Sequence, residues 1–292
     1  MYYGAQYSSS SGRFLLTALI FSLVCLALVG WAPVSLSAFE CTPEKAGYDF
    51  WNPQRFIAHA GGVIEGHIYT NSKEALERAY DNGFRLIELD LSKTSDGKLV
   101  AVHDWGHWKS VTGATSSPPP TAQQFLNAPI YSRFTPLTYA DVVSFFRKKR
   151  DAVLVTDKTN EFSMLARTFP DPDRLLVEIF SWDDLKNAVA AGIKHPMPSF
   201  LWGKNALEQI LKARRIYGVK FLAVHSSQVL MNPSLMSTLT SQGFCIFAYS
   251  SNSTDFVKDQ IGGNRIFGIY TDYWEPKNSK FNCPTKEQCR TY

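Results

Sequence analysis

Hydrophobic and polar residues alternate strictly along one short stretch of the chain, within residues 84–104. In an extended strand, Leu86, Glu88 and Asp90 share one face, and the aliphatic residues between and after them share the other. Two carboxylates on one inward face repel each other and are costly to bury unless a cation lies between them. The pattern predicts either a strand that presents a carboxylate pair to a cation, or an edge strand whose carboxylates are solvated.

Short apolar runs and segments of helical period alternate over the rest of the chain. The predicted strands cover residues 56–58, 86–91, 99–102, 152–158, 175–179, 197–202, 221–225, 244–249 and 266–271. With 99–102 counted as an extension of the second strand, about eight principal strands alternate with helices. This order is typical of an α/β fold, the TIM-type (β/α)8 barrel, in a single domain. The polar stretch 106–136 is predicted to form a lid-like loop over the site.

Polar residues collect where these strands end, which is where the site of a parallel barrel lies. The residues at these positions are His59, Glu88, Asp90, His103, Asp157 and Lys158. Three carboxylates without a thiolate suit one hard divalent cation, Mg²⁺ or Ca²⁺. Two histidines beside such a cation can act as base and acid in displacement at phosphorus.

The first 39 residues predict a targeting segment. Residues 14–39 carry no charge, and 14–34 are almost wholly apolar. The small residues Ser35, Ser37 and Ala38 offer a cleavage site, as in a signal peptide, but the apolar run is also long enough for a membrane anchor. The chain after it is expected outside the cytoplasm, as a secreted or periplasmic protein or one anchored through residues 14–34.

Composition and the apolar pattern together suggest the domain organisation. The net charge of +4 is small for 292 residues and no dense Lys/Arg cluster occurs, which argues against a nucleic-acid partner. The sequence does not indicate an oligomeric state. The expected segments are a leader or anchor (1–39), a connector (40–51), the barrel (52–276) and an irregular tail (277–292).

The five cysteines fit an oxidising compartment. Cys25 lies in the apolar run, and Cys245, in an apolar strand, is predicted to be an inert core thiol. Cys283 and Cys289 are close in sequence and are predicted to form a local disulfide. Cys41 is a competing partner, and the sequence leaves the pairing open.

Several motifs resemble those of the glycerophosphodiester phosphodiesterase family, part of a superfamily of barrel phosphodiesterases that includes phosphatidylinositol-specific phospholipase C. The family pattern is a leading His-Arg-Gly, a Pro-Glu-Asn-Thr, a Glu-x-Asp strand and a His-Asp. The matching segments are His59-Ala-Gly-Gly, Tyr-Thr-Asn71-Ser, Glu88-Leu-Asp90, Thr94-Ser-Asp-Gly97, Val102-His103-Asp104, Ala248-Tyr249-Ser250-Ser251-Asn252 and Gly268-Ile-Tyr-Thr-Asp272.

The resemblance implies a role for each matching residue. His59 and His103 would be the catalytic pair, and the ligands of one divalent cation would be Glu88, Asp90 and Asp157. Lys158 would face the phosphate. The other expected substrate contacts are Asn71, Tyr249 and Asn252.

Three positions depart from the family pattern. Ala60 stands where the family has arginine, and Thr70 where it has glutamate. The family lysine follows the acidic ligand by two residues, whereas Lys158 is adjacent to Asp157. Period-two geometry points Lys158 away from the site unless the strand ends or bulges there. We therefore expect a divergent branch of the family.

The leading functional hypothesis is metal-dependent hydrolysis of a glycerophosphodiester-like or phospholipid-headgroup bond, a reaction of lipid metabolism, by two histidines. The substrate would be a small phosphodiester or a lipid headgroup, and the membrane is a further partner if the leader is retained. The alternative is a catalytically silent barrel that binds a phosphorylated or polyanionic ligand at the cell surface. A carbohydrate hydrolase is weaker, because neighbours two apart on one strand cannot flank a glycosidic bond. The sequence does not indicate the leaving group, nor whether water hydrolyses the diester or a hydroxyl of the substrate displaces the leaving group to give a cyclic product.

Overall fold

The computed structural model describes residues 1–4, 35–41, 49–115, 117–281, 283 and 285. The chain divides into residues 1–33 and residues 34–292, and the barrel lies in the second unit. The apolar run 14–34 of the predicted leader or anchor falls outside the described residues, and the leader or anchor stays a prediction. In the described part of the chain, no helix is long and apolar enough to cross a membrane.

Eight parallel strands form a nearly closed barrel. All the described strands, in chain order, are β1 (Phe56–Ala58), β2 (Leu86–Lys93), β3 (Leu99–Ala101), β4 (Val153–Asp157), β5 (Leu175–Ile179), β6 (His195–Pro198), β7 (Phe221–His225), β8 (Cys245–Tyr249), β9 (Gly268–Thr271), β10 (Trp274–Glu275) and β11 (Lys280–Phe281). The barrel contains all of these except β3, β10 and β11. The order around the barrel is β6-β5-β4-β2-β1-β9-β8-β7, and β3 pairs antiparallel with β2. Strands β6 and β7 are neighbours, but no backbone ladder joins them within the described residues. The predicted (β/α)8 barrel is confirmed.

Helices connect the strands, and most of them begin at a residue whose side chain caps the first turn. They are α1 (Lys73–Asp81), α2 (Trp105–Thr112), α3 (Ala122–Leu126), α4 (Tyr139–Lys148), α5 (Phe162–Thr168), α6 (Trp182–Ala190), α7 (Ala206–Tyr217), α8 (Ser226–Met231), α9 (Pro233–Ser241) and α10 (Thr254–Gly262). The Ser72 hydroxyl accepts a hydrogen bond from the Ala75 N–H at the start of α1, and Thr138 and Asp141 form a reciprocal capping box at α4. Such caps satisfy N–H groups that have no partner within the helix.

The hydrophobic core has two layers, separated by the sheet. Leu86 packs inside the barrel with residues such as Val155 and Phe247, whereas Ile87 and Leu89 pack in the layer that faces the helices. Because side chains alternate along a strand, the two carboxylates that follow Leu86 at even positions also point inside. The alternation of side chains along β2 therefore directs Glu88 and Asp90 into the barrel.

A short N-terminal segment packs at the base of the barrel. Leu36 and Phe39 are fully buried in the interior cluster, and the Phe39 ring centroid lies 5.9 Å from that of Phe221, the first residue of β7. Lys220 donates a hydrogen bond to the Phe39 carbonyl. The boundary expected at residue 39 therefore passes through a segment that is part of the core.

This segment ends in a disulfide between Cys41 and Cys245. The prediction of an inert Cys245 thiol is wrong, because packing of the N-terminal segment brings Cys41 to β8, with Cα atoms 5.2 Å apart. Cys283 is also disulfide-bonded. Its predicted partner Cys289, like Cys25, lies outside the described residues, so that pairing stays a prediction.

Removing the Cys41–Cys245 bond is expected to lower the free energy of unfolding by about 2–4 kcal/mol, since closing a long loop restricts the unfolded chain. The two cysteines are 204 residues apart. Urea unfolding of Cys41→Ala against the wild type measures the loss. The double variant Cys41→Ala/Cys245→Ala serves as control. Its free energy of unfolding should fall no further than that of the less stable of the single variants Cys41→Ala and Cys245→Ala. A wild-type midpoint in Cys41→Ala would contradict the prediction.

The segments predicted as a lid and an irregular tail are more regular than expected. The stretch 106–136 carries most of α2 and all of α3, and Trp108 and Phe125 from these helices are buried against Val100 and Val102. It is therefore anchored at the side of β3. In the tail, β11 pairs with β10, and the Phe281 ring packs 4.5 Å from that of Trp274.

Candidate active site

Three buried carboxylates meet at the mouth of the barrel. Glu88 and Asp90 come from β2, and Asp157 is the last residue of β4. The parallel register places Asp90 directly beside Asp157. One oxygen from each residue lies within 4.8 Å of the others. The structure thus brings together the three residues expected to hold a cation.

Within the described part of the chain, two oxygens of these carboxylates lack the hydrogen-bond partners that burial demands. Burial, and then the neighbouring Asp90, raises the pKa values of Glu88 and Asp157 well above the usual range. Glu88 Oε1 and Asp157 Oδ1 are buried without a hydrogen-bond partner among the described residues. Carboxylate oxygens that lack a hydrogen-bond partner and repel one another suit a hard divalent cation. The cation would offset both the cost of burying them and their mutual repulsion.

The loop after β1 positions Glu88. Ala60 adopts a left-handed conformation (φ 48°), and its N–H donates to Glu88 Oε2 at 2.6 Å. Gly61 follows with φ 80°, and a Cβ there would lie 3.1 Å from that of Ala75 in α1. Glycine is required because a side chain would meet α1 from a backbone conformation that few residues adopt.

Asn71 positions Asp90. Its amide nitrogen donates to Asp90 Oδ2 at 2.8 Å, and its oxygen accepts from the Asp90 N–H at 3.0 Å. The side chain is fully buried. A substrate contact at Asn71 stays a prediction, while the observed bonds fix the Asp90 carboxylate.

One candidate catalytic histidine is oriented by two polar residues. His59 Nδ1 lies 3.1 Å from Asp272 Oδ1, because β1 pairs with β9 and their ends are adjacent. Asn252, expected to contact substrate, instead donates to Asp272 Oδ2 at 3.0 Å and accepts from the Asp272 N–H. Its own substrate contact stays a prediction. Burial alone lowers the pKa of His59, but Asp272 overrides this effect and the pKa is raised.

Asp272→Asn is expected to move one limb of the pH profile to lower pH. The anion stabilises the imidazolium of His59, so its loss lowers the pKa of that ring. Whether His59 must be neutral or protonated, the limb that it governs follows its pKa downward. The dependence of kcat/KM on pH for the variant and the wild type measures this shift, and a limb that stays in place or rises would contradict it.

The other candidate histidine pairs with its neighbour in sequence. His103 Nδ1 lies 2.6 Å from Asp104 Oδ2, and Asp104 Oδ1 accepts from the His107 N–H at the start of α2. The hydrogen bond from the His107 N–H, and after it the hydrogen bond with His103, lower the pKa of Asp104. Asp104 thus both caps α2 and orients the imidazole.

Lys158 turns back toward the carboxylates. Its backbone is left-handed (φ 57°), so the period of β4 ends at Asp157. The ammonium lies 3.2 Å from Asp157 Oδ2 and 5.5 Å from the Phe180 ring centroid. The change of backbone conformation keeps a lysine adjacent to Asp157 at the mouth. The expected phosphate contact stays a prediction.

Two further acidic residues of the mouth were not singled out from the sequence. Glu178 lies on the interior face of β5 and accepts a hydrogen bond from the Tyr270 hydroxyl at 3.0 Å. Burial raises the pKa of Glu178 despite that bond. The signal was a single glutamate in the apolar run LLVEI. Asp272 ends the segment Gly268-Ile-Tyr-Thr-Asp272, but its role depends on which strands are neighbours in the barrel.

Aromatic residues complete the wall of the mouth. Tyr249, an expected substrate contact, lies half-buried with its ring 5.4 Å from that of His225 and 6.4 Å from that of Tyr270. Trp202 donates from its indole to the Ala223 carbonyl at 2.7 Å. The contact of Tyr249 with substrate stays a prediction.

The comparisons with known proteins point to one family. Residues 64–198 match the model of the glycerophosphoryl diester phosphodiesterase family. No curated protein matches the chain significantly.

Solved structures of phosphodiesterases share the barrel. A phosphodiesterase from Oleispira antarctica, in complex with the product sn-glycerol-3-phosphate, aligns with a TM-score of 0.63 and 18% identity over 77% of this chain and 95% of its own. Glycerophosphodiester phosphodiesterases from Parabacteroides distasonis (TM-score 0.60, 19% identity, 75% of this chain and 92% of that one) and Thermotoga maritima (0.58, 18%, 76% and 95%) are also similar. Identities this low show the shared fold alone, while the match over residues 64–198 shows that this part of the chain is similar to the glycerophosphoryl diester phosphodiesterase family.

Proposed function

We propose that this protein hydrolyses phosphodiesters with the help of one divalent cation, Mg²⁺ or Ca²⁺. The observation that carries the proposal is the buried group of Glu88, Asp90 and Asp157, in which two carboxylate oxygens lack partners. Two carboxylate-bound histidines accompany this group. A pure binding protein has no chemical need for an acid and a base beside a cation site.

The three carboxylates would hold the cation, which when bound would neutralise charge on the phosphate. Glu88 is fixed by the Ala60 N–H and Asp90 by Asn71, so both carboxylates are oriented before the cation arrives. Orientation in advance spares the site a reorganisation when substrate binds.

The histidines would move the protons. Each has Nδ1 on a carboxylate, which leaves Nε2 to exchange a proton with the substrate. An oxygen nucleophile forms a bond to phosphorus while the bond to the leaving oxygen breaks. One imidazole takes the proton of the nucleophile and the other gives a proton to the leaving oxygen. The nucleophile is water or a hydroxyl of the substrate itself, the latter giving a cyclic product.

We further propose a glycerophosphodiester or a phospholipid headgroup as substrate and a site of action outside the cytoplasm. The product bound by the Oleispira antarctica relative supports the first proposal. The apolar leader and the Cys41–Cys245 disulfide support the second, because disulfides persist in oxidising compartments.

A panel of diesters tests the substrate class. Glycerophosphocholine, glycerophosphoethanolamine, glycerophosphoinositol and lysophosphatidylcholine would be incubated with the protein and Mg²⁺ or Ca²⁺, and the products followed by phosphorus NMR. We expect a phosphomonoester or cyclic phosphate from at least one of them. If every diester stays intact while the folded protein binds sn-glycerol 3-phosphate, the protein is a silent binder.

A further inference from the structure

The ring of Tyr69 lies between the two candidate catalytic histidines. Its centroid is 4.6 Å from that of His59 and 5.7 Å from that of His103, edge-on in both cases. No described aromatic ring other than Tyr69 contacts both imidazoles. If the attacking and leaving oxygens of a substrate exchange protons with the two histidines, the phosphorus between these oxygens lies near this ring.

The backbone holds the ring in that place. Tyr69 is left-handed (φ 58°), an unusual conformation for an aromatic residue. Its carbonyl lies 3.0 Å from His107 Nε2, in the first turn of α2. Two residues later, the Asn71 N–H donates to the Ala60 carbonyl, and the Asn71 side chain is bonded to Asp90. The position of the ring is thus tied to the loop and strand that carry the carboxylates.

The hydroxyl of Tyr69 is a donor without a partner. The side chain is half-buried, and none of the described residues hydrogen-bonds its phenolic oxygen. Burial, and then the negative charges of Asp272, Asp90 and Glu88, raise the pKa of Tyr69. A phenol is a proton donor at neutral pH in any case.

We propose that the Tyr69 hydroxyl donates a hydrogen bond to a non-bridging oxygen of the substrate phosphate and so holds the phosphorus between His59 and His103. The proposal rests on the proposed function and adds a substrate-binding residue to it. The donor is neutral, so it would add a hydrogen bond to the phosphate without adding charge to the site.

Tyr69→Phe tests the hydroxyl alone, since the ring and its contacts remain. A hydrogen bond to a charged group contributes enough that its loss should lower kcat/KM by about 10- to 100-fold. The affinity for inorganic phosphate and for sn-glycerol 3-phosphate, measured by calorimetry on the cation-loaded protein, should weaken in parallel. The pH profile should keep its shape, because both histidine–carboxylate pairs are intact.

Tyr131→Phe is the matched control. Tyr131 stacks on His67 at 3.9 Å in a loop contact, so its hydroxyl should affect neither rate nor phosphate affinity. If Tyr69→Phe keeps wild-type kcat/KM and wild-type phosphate affinity, the inference is wrong. If the wild type turns over no diester, the proposed function fails, but the phosphate affinities of wild type and Tyr69→Phe still decide on the hydroxyl. A wild type that binds neither anion would overturn the inference as well.

Discussion

Replacing either His59 or His103 by alanine is expected to lower turnover by on the order of 10²-fold or more, because positioned proton transfer typically supplies that much. Each imidazole is held by a carboxylate, Asp272 or Asp104, so each is set for this task. The double variant should be far from additive, since the acid and the base act in one step.

Rates on a confirmed diester, with thermal unfolding as a check of folding, measure these effects. His195→Ala is the control: His195 bonds Asp173 at the start of β6, at the end of the barrel away from the mouth, and its loss should leave the rate unchanged. If both His59→Ala and His103→Ala keep near-normal turnover, the assignment of acid and base is wrong.

Glu88→Gln is expected to abolish cation-dependent turnover while the fold persists. The amide keeps the size of the side chain but removes one of three mutually repelling charges. Burial already raises the pKa of Glu88 well above normal, so the barrel does not depend on its charge. Removing it should leave the stability of the cation-free protein unchanged or raised.

Calorimetric titration with Mg²⁺ or Ca²⁺ and thermal unfolding separate these two effects. Glu178→Gln is a matched control, because Glu178 is also a carboxylate of the mouth but lies outside the group of three. It should weaken cation binding much less. Wild-type cation affinity in Glu88→Gln would refute the site.

Local pattern was sufficient to predict the parts of the site that depend on one strand. The alternation of β2 placed Glu88 and Asp90 on one face, and the interior position of Leu86 confirms which face is buried. Strands that end at the same edge of a parallel sheet then brought Asp157 to the pair. Both steps need only the period of a strand and the direction of the sheet.

Features that join distant parts of the chain were beyond the sequence. The Cys41–Cys245 bond depends on how the N-terminal segment packs under the barrel, and the His59–Asp272 pair on the closure of the barrel between β1 and β9. The period of β4 alone would point Lys158 away from the phosphate that it is expected to face, and a single left-handed residue changes that direction. Such a change leaves no pattern in the surrounding residues.

The two asparagines expected to bind substrate illustrate a related difference. Asn71 and Asn252 lie at the mouth, but their amides are bonded to Asp90 and Asp272. An asparagine beside a site can contact a ligand or orient a residue that does, and the sequence does not distinguish the two.

The most direct test of the central claim is the reaction of one glycerophosphodiester with and without its cation. The protein would be treated with a chelator, incubated with glycerophosphocholine, and then resupplied with Mg²⁺ or Ca²⁺ while phosphorus NMR follows the products. We predict that the diester is stable in the chelated sample and that a phosphomonoester or cyclic phosphate forms when the cation returns. Turnover that continues at the same rate in chelator would contradict the account.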